Sequence, residues 1–121
     1  MSSPSTGRFA DLPAERPYRG VERRGFDSEH ATVTSYRFEP EASFPLHRHP
    51  EEQITIVEAG ELELTVAGEV TRMSAGDWSV VGSNVEHGIT AGSEGARIIA
   101  IVTPRRNPST PYSLVDRDET D

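Results

Sequence analysis

Short runs of β-branched and aromatic residues, each closed by a small turn residue, recur from residue 31 onward and leave little room for any architecture but antiparallel sheet. "ATVTSYRF" opens the series, followed by "QITIVEA" and by "ELELTVA", in which Leu62, Leu64 and Val66 alternate with polar partners. "EVTRM", "DWSVVG", "VEHGIT" and "ARIIAIVT" complete it. Period-two alternation buries one face of a strand and wets the other. The breaks are Ala59-Gly60, Ala67-Gly68, Ala75-Gly76, Gly82-Ser83-Asn84 and Ala91-Gly92, and a turn signal at spacings of about 8 residues predicts an all-β sandwich or barrel. No segment sustains a helical period.

The 121 residues make one domain, large enough to bury a core without staples. Residues 1–30 are read as an N-terminal extension with a possible edge strand, 31–104 as the barrel and 105–121 as a C-terminal tail. "LPAERPYRGVERRGF" (12–26) holds two prolines and is read as loop plus one short edge strand. "RIIAIV" (Arg97 to Val102) is apolar on both faces. The barrel covers one face, and the N-terminal segment or a second subunit is needed for the other, so a homodimer is expected. Pro104, Pro108 and Pro111 stop the last central strand. The acidic end reads as solvated tail, with Tyr112–Val115 as its one patch able to dock on an edge.

The function classes narrow by charge and by what is missing. Formal charge is -8 and every one of the 12 basic residues is arginine; such a surface repels nucleic acid and anionic membranes. No stretch reaches the roughly 20 apolar residues of a membrane helix, and "MSSPSTGRF" lacks the pattern of a secretory signal, so a cytoplasmic protein acting on a small molecule is expected. With no cysteine, disulfides, thiolate ligands and thiol nucleophiles are excluded.

Four histidines remain: His30, His47, His49 and His87. His47 and His49 alternate with Arg48, so both imidazoles can project to one side of a strand. Gln53 enters the next run on the same face as Thr55 and Val57, and His87 follows the turn "GSNV". Donors converging from several strands are what a small barrel can offer an ion. Imidazole and amide carbonyl suit borderline divalent ions: zinc, nickel, iron or manganese. His30 falls outside the pattern and is read as a surface residue.

These residues resemble the motifs of the cupin superfamily. The first motif, His-x-His, a short gap, a carboxylate, six residues and Gly, is matched by His47-Arg48-His49, Gln53 and Gly60. The second is matched by Gly76-Asp77 and His87 in "AGDWSVVGSNVEH", with Gly82 and Asn84 where Pro and Gly usually stand. Asn tolerates the left-handed conformation such a turn needs. The resemblance spans about residues 31 to 103. It implies a cupin double-stranded β-helix, or jelly-roll barrel, holding one divalent transition metal on His47, His49, Gln53 and His87. Glu52 is a less apt fourth ligand than Gln53, since parity turns it away.

Gln53 in the carboxylate position bears on the chemistry. Three neutral imidazoles and a neutral amide leave the ion's dipositive charge undiminished, favouring carboxylate, enolate or phenolate ligands and disfavouring metal-centred oxidation. "HPEEQITIVEAGELEL" is similar to small cupins that act without net redox, the pectin-degradation type that linearises unsaturated uronates and the polyketide-cyclase type. The ending "IVTPRR" extends the likeness to the first, where an arginine assists the substrate carboxylate; Arg106, or Arg105, would be that residue. An acidic group expected just before it is replaced by Ala100. Tyr36 is a candidate proton-transfer partner, and Phe44, Thr55, Trp78 and Arg105 are candidate substrate contacts. Phe38 and Phe44 are read chiefly as core. The expectation is a non-redox isomerase or lyase-like enzyme performing isomerisation, ring opening or cyclisation. The alternatives are a metal-dependent dioxygenase and a non-catalytic small-molecule binder.

Overall fold

The computed structural model describes residues 4–106 together with the short strand Ser113–Leu114. After a 3-10 turn at Phe9–Asp11 come β1 (Glu15–Tyr18), β2 (Val21–Asp27), β3 (Thr32–Phe38) and β4 (Ser43–Arg48). The long β5 (Glu52–Val66), β6 (Glu69–Ser74), β7 (Trp78–Val81), the long β8 (His87–Thr103) and β9 (Ser113–Leu114) follow. All pairings are antiparallel. The fold is an all-β jelly-roll barrel.

Two strands hold the barrel together because each serves both of its walls. The first half of β5 pairs with β7 and with the second half of β8, which continues through β3 and β2 to β1. The second half of β5 pairs with β6 and with the first half of β8, which continues to β4 and β9. "QITIVEA" and "ELELTVA", read as separate runs, are therefore one strand bent at Gly60. The bend has a steric cause. Gly60 has φ 78°, and a Cβ there would lie 2.1 Å from the Gly95 carbonyl oxygen. Only glycine admits that approach of two backbones.

Residues 12–26 hold two strands where one edge strand was expected. Arg-rich β2 pairs with β3 along its whole length, from Val21–Phe38 to Asp27–Thr32, and so extends the sheet. Alternation decides the burial. Val57, Leu62, Leu64, Met73, Ile98 and Phe38 point between the walls and form the core. Tyr18 and Tyr36 each meet Phe44 edge-on, at ring-centre distances of 4.9 and 5.8 Å, the geometry aromatic quadrupoles prefer. β8 ends at Thr103, directly before Pro104. At the tail, Ser113–Leu114 pairs with β4 at Arg48 and His47; Tyr112 and Val115 lie outside the described residues.

Candidate metal centre

Three strand ends converge inside one end of the barrel. β4 delivers His47 and, one residue past its end, His49; β5 delivers Gln53; β8 begins with His87, opposite His47 in the register. The turn before β8 adopts the left-handed conformation expected of it, with Asn84 at φ 61°. Its amide donates to the His49 carbonyl at 2.8 Å, tying the two histidine segments together.

All three imidazoles are buried, and their potential donor atoms lie within 4.8 Å of one another. Each Nδ1 sits against a backbone carbonyl two residues away: His47 on Pro45 at 2.9 Å, His49 on Glu51 at 3.0 Å and His87 on Val85 at 2.8 Å. Nδ1 therefore carries the hydrogen and Nε2 the lone pair, the tautomer of a metal ligand. Gln53 completes the set. Its Nε2 donates to Thr55 Oγ1 at 3.1 Å, which turns Oε1 toward the histidines, 3.2 Å from His49 Nε2 and 3.4 Å from His87 Nε2. Lone pairs facing one another at that range repel unless a cation lies among them. The donor chemistry thus fits a divalent ion.

Electrostatics agree. Burial, and next the neighbouring His87, press the His47 pKa from 6.5 down to about 4, against the pull of the Pro45 carbonyl. Burial also lowers His87, opposed by Val85 and assisted by His49. Both imidazoles are neutral at ordinary pH, as ligands must be.

A cavity of about 470 Å³ opens beside His47, His49 and Gln53. Tyr36, Phe44 and Arg106 line it, and Ala100 forms an apolar stretch of its wall. Thr55 is 1% exposed and acts on Gln53 rather than facing the cavity. Trp78 and Arg105 are not brought to it. Alternation from the inward Val81 turns Trp78 to the outer surface, where it is 69% exposed, and Arg105 is exposed while Arg106 turns in. Parity holds for Glu52, which is exposed.

Other residues join the site unannounced. Glu51 is 4% exposed, with its carboxylate 3.0 Å from Arg106 Nη1 and 3.4 Å from His49 Nδ1. Arg106 is anchored again through its amide, which donates to Thr32 Oγ1 at 2.9 Å. Arg23 and Glu15, paired at 2.9 Å, and Asp27 line the far side from β1 and β2. The signal for these was alternation within "VERRGFD", which places Arg23, Gly25 and Asp27 on one face.

Solved structures share the fold. An RmlC-like cupin from Shewanella frigidimarina aligns at TM-score 0.79 with 23% identity, covering 89% of this chain and 97% of that one. KdgF from Halomonas sp. aligns at 0.76 with 26% identity, covering 86% and 99%. Oxalate decarboxylase from Bacillus subtilis, a protein with Mn(II) centres, aligns at 0.82 with 21% identity, covering 95% of this chain and 34% of its own; the chain thus spans about a third of that enzyme. No curated protein sequence matches. Among the described residues, no helix is long and apolar enough to cross a membrane. The profile of the cupin domain matches residues 34–102, more than half of the chain and the segment that carries His47, His49 and His87, and the chain belongs to the cupin family.

Proposed function

We propose that this cupin is a metal-dependent enzyme acting without net redox change, by isomerisation, ring opening or cyclisation of a small oxygenated substrate that bears a carboxylate. The uncharged donor set carries this reading: Gln53 Oε1 occupies the carboxylate position and Thr55 holds it there. An ion held by His47, His49 and His87 through Nε2 and by Gln53 through Oε1, whether zinc, nickel, manganese or iron, supplies a Lewis acid of undiminished charge.

The protein groups supply orientation and proton transfer. Arg106 grips the substrate carboxylate, and Glu51 and Thr32 hold the arginine in place for it. Tyr36, in the cavity wall beside Phe44, moves the proton between carbon and oxygen, because Ala100 offers no acid or base there. Phe44 and Val102 narrow the apolar side of the cavity and limit water. An unsaturated uronate, the substrate class of the similar pectin-degradation cupins, presents a carboxylate and a masked carbonyl of suitable size.

The test pairs metal analysis with turnover of uronates and keto-sugar acids under an oxygen electrode. Near-stoichiometric metal, turnover abolished in His49→Ala and no oxygen uptake are the expected results. A metal-free protein, or turnover indifferent to His49→Ala, overturns the proposal. Oxygen consumed in step with product assigns a dioxygenase instead, and ligand recovered unchanged assigns a binder.

A further inference from the structure

The inner face of β2 changes character along its length. Val21 packs into the core, yet the next three inward positions, Arg23, Gly25 and Asp27, line the cavity. Charged side chains seldom face a barrel's interior without a partner or a task. Gly25 is the more telling departure. Its φ is not positive, so the backbone does not demand glycine, and glycine inside a strand weakens it. What it provides is space. A Cβ there would stand 2.9 Å from Thr34 Oγ1 and 3.1 Å from the Val33 carbonyl oxygen. Thr34, opposite in the register, thus lays its hydroxyl across bare backbone, and that hydroxyl has no protein partner among the described residues. β1 pairs along β2 only as far as Arg23, so Gly25 and Asp27 stand at the sheet edge. A glycine so placed marks where a ligand comes close to a strand.

Distance sets the size of that ligand. Three strand spacings separate Asp27 from Gln53, by way of Thr32 and Val102. At about 4.8 Å each they amount to roughly 14 Å along the wall, more than a six-carbon acid held at the metal end spans. Charge sets its kind. Glu15 and Asp27 against Arg23 leave this wall one net negative charge, so a second carboxylate is repelled, while Arg23 beside them repels a cation. Neutral hydroxyls suit it: carboxylates accept from them, Arg23 donates, and Thr34 does either. The carboxylates are already held in place. Arg23 Nε donates to Glu15 Oε1 at 2.9 Å and Thr32 Oγ1 to Asp27 Oδ1 at 2.6 Å, which leaves each a second oxygen. We propose that this wall is a second binding site of the cavity, taking the neutral, hydroxyl-bearing arm of a substrate across Gly25; it rests on the reading that the substrate's carboxylate is held at the metal end.

Isothermal titration of the full-length protein, as purified, with two carboxylates that need not react tests this. Gluconate is the short probe, and lactobionate is gluconate carrying a neutral galactose on O4. Lactobionate is expected to bind about 10-fold tighter, the sum of a few hydrogen bonds made by the added sugar. Gly25→Val fills the crossing point and removes the preference, leaving gluconate affinity unchanged. Thr34→Val keeps the side-chain shape, and so the fold, and weakens lactobionate alone by about 3-fold. Arg106→Gln weakens both acids together and reports on the carboxylate reading by itself. Equal affinities for the two acids, both sensitive to Arg106→Gln, overturn the second site and leave that reading standing. A preference for lactobionate that survives both Gly25→Val and Thr34→Val overturns it as well. Failure of either acid to bind overturns both.

Discussion

The two faces of one wall make opposite uses of the same strands. On β5, Gln53, Thr55 and Val57 turn inward to the ligands and the core, while Ile54 and Ile56 turn outward. On β8, Ile98, Ala100 and Val102 are buried and Ile99 and Ile101 only partly so. Inside, the polar groups around the histidines are held by partners: the Nδ1 atoms by carbonyls, the Gln53 amide by Thr55, Glu51 by Arg106. Outside, the side chains are apolar but loosely tied. The inner face is therefore brittle, since a lost partner leaves a buried polar group unsatisfied. The outer face tolerates change unless another surface lies on it.

The sharpest way to break the contrast is to remove a ligand. His87→Ala is expected to lower metal affinity by more than about 100-fold, since even partners outside the coordination sphere are worth 10–100-fold; isothermal titration with zinc or nickel measures it. Next comes the bend. Gly60→Ala places a Cβ against the Gly95 carbonyl and requires φ 78° of a non-glycine residue, costing about 3 kcal/mol in urea unfolding.

Acid should expose the inner face in a comparable amount. His47 titrates near 6.5 unfolded and about 4 folded, chiefly because of burial, so between those values the unfolded chain binds more protons. Stability of the metal-free protein is then intact above pH 6.5 and falls as pH drops toward 4, by roughly 3 kcal/mol for this one group. His87, also lowered by burial, acts in the same direction. A His47→Gln variant should show a flatter profile of unfolding free energy against pH.

Smaller effects complete the scale. Thr55→Val keeps the side-chain volume but frees the Gln53 amide to rotate, and is expected to weaken metal binding about 10-fold with the fold preserved. At the far end, Val70→Thr on β6, a position 60% exposed and clear of the tryptophan face, should change unfolding free energy by less than about 0.5 kcal/mol. A large effect there would mean that the outer surfaces are as tightly constrained as the inner ones.

Much of this was legible in the residues. Parity alone placed Gln53 with Thr55 and Val57 and turned Glu52 away, and the turn chemistry anticipated Asn84. The runs for β3, β6 and β7 were readable within a residue or two. Other features were not. Only one short edge strand was read in residues 12–26, where prolines and charges mask the second, because a strand whose inner face lines a polar cavity shows no hydrophobic alternation. Trp78 was expected at the substrate, since an aromatic near the second motif gives no hint of which face it takes until the pairing with β5 is known. Glu51 could not be singled out from Glu52, because its burial depends on Arg106, 55 residues later.

What the sequence by itself determined is local and periodic: which residues share a strand face, where the turns fall, and that three imidazoles and one amide are available to an ion. Tertiary structure decided which strands are neighbours and in what register. That register brought His87 opposite His47, joined two runs into one bent strand through the Gly60–Gly95 contact, and aligned apolar residues from five strands into one outer surface. The division has a physical cause. A strand's side-chain period is a property of its own backbone, whereas its partner is chosen by the fit of surfaces far apart in the chain.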